Sequence, residues 1–294
     1  LSLHTMSRLS FSIHRNFSCC RKWIPAVLFF LTAATLLSAC ERKDSPEPDV
    51  ASGRLSFRME HLEQGMPLQM HQLIYSNQAG NVYMVSGLKY FISDVTLYHD
   101  GGKSLMLNGW KDIFYIDEDI PSGRSWQFFD KIPAGSYDSV SFVFGFTGEK
   151  NKSFMFVNPP EALMMWPEVL GGGYHYLMLD GKWKDTAGVL QPFNFHLGIG
   201  QLYKGEGFEV DSIYAFIQNW FRVSLPGSGF QMTDGGEITL HVAMHIEKWF
   251  REPYVFDFNH WGGAIMQLQP AMEQVRENGR NVFSVIRIST RQQP

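Results

Sequence analysis

Ile238-Thr-Leu-His-Val-Ala-Met-His-Ile-Glu247 is the stretch whose reading decides the fold. Ile238, Leu240, Val242, Met244 and Ile246 alternate with Thr239, His241, Ala243, His245 and Glu247. A period of two over this length means a strand with one face in a core. The same alternation settles the meaning of His241 and His245. On a helix, that spacing would put two imidazoles on one face. On a strand they stand about 13 Å apart at about 3.3 Å per residue. Bonds of about 2 Å cannot span that gap to one ion.

Outward from this strand the pattern repeats. Leu55, Phe57, Met59 and His61 share one face of a run whose other face carries Ser56, Arg58 and Glu60. Ser139-Val-Ser-Phe-Val-Phe-Gly145 and Gln191-Pro-Phe-Asn-Phe-His-Leu197 alternate likewise. Turn residues punctuate the runs, as in Asn77-Gln-Ala-Gly80, Asp100-Gly-Gly102, Pro133-Ala-Gly135 and Pro226-Gly-Ser-Gly229. Many short strands spaced in this way predict an all-β fold, mainly antiparallel, as a sandwich or a barrel-like sheet. Two segments depart from the pattern. Pro159 to Leu170 is a candidate short helix limited by Pro167. Pro270 to Asn278 reads as a helix with proline in its first turn and Gly279 where a C-cap belongs, followed by a last strand from Val282 to Ile288. With no second linker and no internal repeat, residues 54–290 are expected to form a single domain.

The N-terminal segment has another character. Arg8, Arg15, Arg21 and Lys22 are the only charged residues of the first 39, and an apolar run from Trp23 to Leu31 follows them. Small and apolar residues then lead to Leu37-Ser-Ala-Cys40. A positive region, a short apolar core and a small-residue cleavage site are the layout of an export signal. The run falls short of the roughly 20 apolar residues of a spanning helix. Its end resembles a bacterial lipobox, which implies cleavage after residue 39, lipidation of Cys40 and a membrane anchor there. Residues 40–53, polar and proline-bearing, are expected to be a flexible tether. The cell envelope follows as the location, most simply the outer membrane.

Composition narrows the chemistry. The chain has three cysteines, Cys19, Cys20 and Cys40, so beyond the lipobox there is no thiolate for a zinc site, a disulfide or a nucleophile. Loss of the four basic signal residues takes the net charge from −4 to −8, against a basic face for nucleic acid. No Gly-x-Ser-x-Gly elbow or glycine-rich phosphate loop is present, and no carboxylates are paired in sequence, so no enzyme is expected.

A string of short motifs carries a family resemblance. Phe57-Arg-Met-Glu-His61, Gly65-Met-Pro-Leu68 and Val85-Ser-Gly-Leu-Lys-Tyr-Phe-Ile-Ser-Asp-Val-Thr-Leu97 come in order. Ile132-Pro-Ala-Gly-Ser-Tyr137, Met165-Trp166, Gly173-Tyr174, Phe195-His-Leu-Gly198 and Asn281-Val-Phe283 follow. The order resembles the MbnP-like domain, a family of exported proteins linked to copper and common as lipoproteins in Bacteroidota. The resemblance implies a mostly β fold and a copper(I) site built from histidines and a tryptophan-derived kynurenine. It also implies a haem peroxidase as a partner. Relatives often read Trp-x-Trp before Gly-Tyr, whereas here Pro167-Glu168 follows Trp166, which puts a tryptophan-derived ligand in doubt.

The candidate ligands are therefore histidines. His61 ends an otherwise apolar strand face, at the rim of the core; the plainer reading is a histidine hydrogen-bonded to backbone. His196 points away from Phe195 and Leu197, together with Asn194; the plainer reading is a surface histidine. His175 lies on the glycine-loosened segment Gly171-Gly-Gly-Tyr-His-Tyr176 and is a weaker candidate. Fourteen methionines supply soft thioethers but mostly read as core filling. The rival to copper binding is a metal-free envelope module contacting a glycan or protein, and a groove of exposed tryptophans would mark it.

Overall fold

The computed structural model describes residues 50–292. The lipobox, Cys40 and most of the expected tether lie outside the described residues. Two sheets face each other as a sandwich. In the smaller, the strand Ser52–Glu63 lies between Gly236–His245 and short antiparallel segments that include Met66–Pro67 and Ser125–Gln127. Gly236–His245 pairs on its other edge with Phe283–Gln292. The larger sheet runs in the order Leu190–Leu197, Leu177–Lys184, Val82–His99, Ser139–Phe144, Phe221–Leu225. Among the described strands, pairing is antiparallel with one exception: Ser52–Glu63 runs parallel to Gly236–His245, with Leu55 opposite Ile238 and His61 opposite Met244. First and late strands of the domain thus close the smaller sheet side by side.

The alternation of the sequence is the alternation of burial. Leu55, Phe57 and Met59 face inward with Ile238, Leu240, Val242 and Met244, while Arg54 and Arg58 face out. The long strand Val82–His99 is buried on both faces over Phe91 to Leu97 because neighbouring strands and loops cover it on both sides. Aromatic rings fill the space between the sheets. Phe144 lies within 6 Å of the rings of Tyr90, Phe221, Trp249 and Phe283. Each such side chain contributes about 1.5–3 kcal/mol by leaving water.

Three expectations need revision. The tether, expected to run through residue 53, ends sooner, because Ser52 and Gly53 already belong to a strand. Gly53 packs where a side chain would collide with Met232 and the Gly236 carbonyl, so the chain is fixed there. Pro159 to Leu170 is two short 3-10 turns, Glu161–Met164 and Glu168–Leu170, with Pro167 between them; a proline that cannot donate ends the first turn. The C-terminal helix Gln269–Gly279 forms as expected, with proline in its first turn. Gly279, however, is its last residue and not a left-handed cap. A side chain there would meet the rings of Phe221 and Trp249, the latter at 2.6 Å. The following strand continues to Gln292.

Candidate functional site

The three histidines proposed from sequence fall on two sides of the larger sheet. Tyr90, Leu177 and Leu197 stand in register across three strands and face the sandwich interior. Their neighbours Lys89, Met178 and His196 form the next row, which a pleated sheet turns to the opposite face. The Tyr90 hydroxyl reaches His61 Nε2 at 3.0 Å. His61 is therefore inside the sandwich and His196 outside it, and the two imidazoles do not converge.

His61 has both ring nitrogens engaged. Nδ1 pairs with the Glu118 carboxylate, and Arg124 holds both oxygens of Glu118 at 3.0 Å. Burial alone would raise the Glu118 carboxyl, but the hydrogen bond and charge of His61, with Arg124, bring it below its ordinary value. This is a chain of hydrogen bonds at the rim of a cleft of about 380 Å³. A ligand at Nε2 would have to displace the Tyr90 hydroxyl.

His175 and His196 do converge. Their ring centroids are 5.1 Å apart and the rings perpendicular, at 89°. His196 comes from the outer face of the hairpin strand Leu190–Leu197. His175 comes from the segment that folds over that face, and a bridge between Met165 and Tyr174 closes its base. Gly171, Gly172 and Gly173 all have positive φ, at 114°, 66° and 78°. Side chains at the last two would strike Ser153 and Asn151, so only glycine permits the segment to lie down here. Trp166 packs against the pair. It is fully buried, donates Nε1–H to the Leu170 carbonyl at 3.1 Å, and lies edge-on to His175 with centroids 4.7 Å apart. Gly198 makes room for it: a Cβ there would stand 2.5 Å from the indole.

The hydrogen bonds fix which lone pairs are free. His175 Nδ1–H donates to the Met164 carbonyl at 2.9 Å, leaving Nε2 as its acceptor nitrogen. His196 Nε2–H donates to Asp180 Oδ1 at 2.8 Å, leaving Nδ1, which is buried and has no hydrogen-bond partner among the described residues. Asn194 donates to the same Asp180 oxygen at 2.7 Å. Burial would raise the Asp180 carboxyl, but the His196 hydrogen bond and charge, with Asn194 and Lys89, hold it below its usual value. Burial pushes His175 down to about 4, against the opposing pull of the Met164 hydrogen bond. The ring is neutral at neutral pH. Met178 stands opposite His196 in the hairpin register, close enough for its thioether to reach the same space.

Sequence reasoning missed Asp180 and the packing of Trp166 on Gly198. Asp180 is visible only once the hairpin register places it two residues from Met178 and opposite Asn194. His196 faces outward from its sheet as expected, but the covering segment makes it 7% exposed. His241 lies on a strand as expected and is held by Glu60, Arg287 and Ser289. His245 bonds to Ser284. Among the described residues no group of three or more His, Cys, Asp or Glu side chains gathers as a metal cluster; the two-imidazole pocket is smaller than that.

Fold and pocket define a class: an all-β sandwich with a buried pair of oriented imidazoles on the outer face of one sheet. The chain belongs to the MbnP family, whose model matches residues 52–267. Among solved structures it is similar to MbnP from Methylosinus trichosporium, at 13% identity and a TM-score of 0.43, over 70% of this chain and 80% of that one. No curated protein sequence matches the chain.

Proposed function

We propose that the chain binds copper through His175 Nε2 and His196 Nδ1. The observation that carries this reading is the orphaned, buried Nδ1 of His196 on a ring whose centroid is 5.1 Å from that of His175. Each ring gives its other N–H to an oxygen acceptor, the Met164 carbonyl or the Asp180 carboxylate. That is the outer arrangement by which ligating histidines are oriented and made more basic. Imidazole and thioether suit copper, and with Met178 opposite His196 the donor set is soft enough for the reduced ion. When bound, the ion would be stored or handed on. The protein orients the two rings, keeps His175 unprotonated and packs Trp166 against it. His61, with both nitrogens committed, does not take part.

The same reading makes the protein a lipid-anchored member of the cell envelope. The basic, apolar and small-residue run ending at Cys40 supports it. Among the described residues, no helix is long and apolar enough to cross a membrane. A metal-free glycan module would show stacked exposed tryptophans. Among the described residues, Trp110, paired with Phe129 at 4.6 Å, is the one tryptophan among the exposed large apolar side chains, which favours copper.

The test is metal content of the protein purified from copper-supplemented cells, with intact mass on the same sample. About one copper per chain, lost in His175→Ala and in His196→Ala but kept in His61→Ala, is the expected result. Copper-free wild-type protein, or copper lost only with His61, would sink the assignment. A gain in mass corresponding to an oxidised indole, mapped to Trp166 by peptide sequencing, would place a modified Trp166 beside the pair.

A further inference from the structure

Two loops from different sheets present a pair of aromatic rings to water. Trp110 follows the strand Lys103–Met106 of the larger sheet, and Phe129 follows Ser125–Gln127 of the smaller. Trp110 is 74% exposed and Phe129 63%, with ring centroids 4.6 Å apart. One exposed ring is ordinary, but two held together in water call for an occupant. The pair is fixed from behind. Both oxygens of the Asp130 carboxylate accept the Gly109 N–H, at 3.0 and 3.1 Å, which pins the residue before Trp110 to the residue after Phe129. A Cβ on Gly109 would stand 3.0 Å from that carboxylate, so glycine lets the two loops approach. Lys111 and Lys131, both exposed, come next along them. The pair also stands where the chain enters the domain. Phe128 N–H donates to the Leu55 carbonyl, Ile132 pairs with Gly53, and Ala134 N–H donates to the Ala51 carbonyl. At about 3.3 Å per residue, Phe129 lies within roughly 20 Å of Val50.

The chain from Cys40 to Val50 cannot exceed about 36 Å, since an extended residue spans at most about 3.6 Å. A lipid on Cys40 therefore keeps the entry end of the domain close to the bilayer that holds it. We propose that Trp110 and Phe129 are a membrane-docking surface, inserting at headgroup depth into the bilayer that carries the Cys40 lipid. This rests on the reading of Cys40 as the anchor. Aromatic rings flanked by lysine suit that depth. The ring bodies enter the acyl boundary, the indole N–H keeps a wet partner, and the ammonium groups reach anionic headgroups. The acids nearby are otherwise engaged: Asp130 holds the Gly109 N–H, and Asp112 pairs with Lys150. A second protein fits less well. Each ring buries about 150–250 Å², whereas a stable protein interface buries about 1,200–2,000 Å². A tethered surface needs far less, because the anchor already supplies a high effective concentration of bilayer.

The test uses the full chain, expressed with its signal, extracted from membranes and reconstituted into phosphatidylethanolamine–phosphatidylglycerol vesicles. The acyl chains carry bromine near the headgroup, a contact quencher of indole emission, and intact mass on the same sample reports the lipid. Trp110→Phe, at an exposed position, should keep the wild-type circular dichroism, so the difference between the two emission spectra isolates Trp110. In plain vesicles that difference should be shifted to shorter wavelength than in detergent-free Cys40→Ser protein, and in brominated vesicles it should largely vanish. Phe129→Asp, which places a charge at the contact, should bring much of the Trp110 emission back. A lipidated chain whose Trp110 emission is indifferent to bromine would overturn the docking surface and leave the anchor standing. So would a doubled mass of Cys40→Ser protein in light scattering that Phe129→Asp abolishes, which would give the surface to a second copy. A chain without lipid would remove the anchor reading and this proposal with it.

Discussion

At the residue scale, the proposed copper site would depend on groups that never touch the ion. Asp180 is the clearest. Its carboxylate holds the Nε2–H of His196 and so leaves the lone pair on the buried, unpartnered Nδ1. Replacing Asp180 with alanine should leave the domain folded and lower copper affinity about 10–100-fold, measured by competition with a chelator of known strength. Unchanged affinity would show that His196 is oriented by packing alone. Gly198 is the second case. A methyl group there would press on the buried indole of Trp166, and overpacking of this kind costs about 1–3 kcal/mol. Gly198→Ala should therefore shift the urea midpoint downward and move Trp166 fluorescence to longer wavelength. Both residues were hidden at the level of the sequence for one reason: their roles are defined by a neighbour remote in the chain. His196 was legible from its place in the Phe195-His-Leu-Gly198 motif, on the face opposite Phe195 and Leu197; the Asp180 that orients it was not. His61 illustrates the opposite error. Its place on an apolar face is visible in the alternation, but the sequence could not show that Glu118, 57 residues away, satisfies it.

At the element scale, periodicity carried most of the fold. Ile238–His245 and its partners Leu55–His61 formed strands whose core faces were those the alternation marked, while Ile246 and Glu247, expected to continue the strand, lie in the 3-10 turn Ile246–Phe250. What periodicity could not give was that these two strands pair in parallel, because register between distant segments is set by the whole core. Helical signals were less faithful. Pro167 turned an expected helix into two short turns, and Gly279 proved to be a packing glycine. That second point predicts a sign. Alanine in place of a helical glycine ordinarily stabilises by about 1 kcal/mol. At Gly279 the added methyl meets Phe221 and Trp249, and overpacking costs about 1–3 kcal/mol. The steric cost should outweigh the gain in helix propensity, so Gly279→Ala should lower stability in denaturant titrations. A stabilised variant would mean that the helix can shift outward at little cost.

At the scale of the whole molecule, two buried groups on opposite sides of the larger sheet set opposing pH dependences in the metal-free protein. His175 has a folded pKa depressed from 6.5 to about 4 by burial. Below 6.5 the unfolded chain binds a proton that the folded chain refuses, so His175 contributes stability that is lost as pH falls from about 6.5 toward 4. Glu63 has a folded pKa raised from 4.5 to about 7, again chiefly by burial. The folded chain then holds a proton the unfolded chain releases, so stability is lost as pH rises from about 4.5 through 7. Each shift corresponds to roughly 3 kcal/mol at about 1.4 kcal/mol per unit. Between about 4.5 and 6.5 the two slopes have opposite sign and similar size. Their joint contribution to the pH dependence of the chelator-treated wild type should therefore be close to flat there. Replacing either group should expose the other. Glu63→Gln, relative to wild type, should gain stability progressively from about pH 4.5 to 7. His175→Gln should gain it progressively from about pH 6.5 down to 4, so that its own curve falls with rising pH. Urea unfolding of the three proteins across this range, read as differences from wild type, removes the contribution of every other titrating group. Parallel curves for all three would mean that neither group keeps its buried protonation state in the folded protein, and the neutrality of His175 on which the copper pocket relies would fail with them.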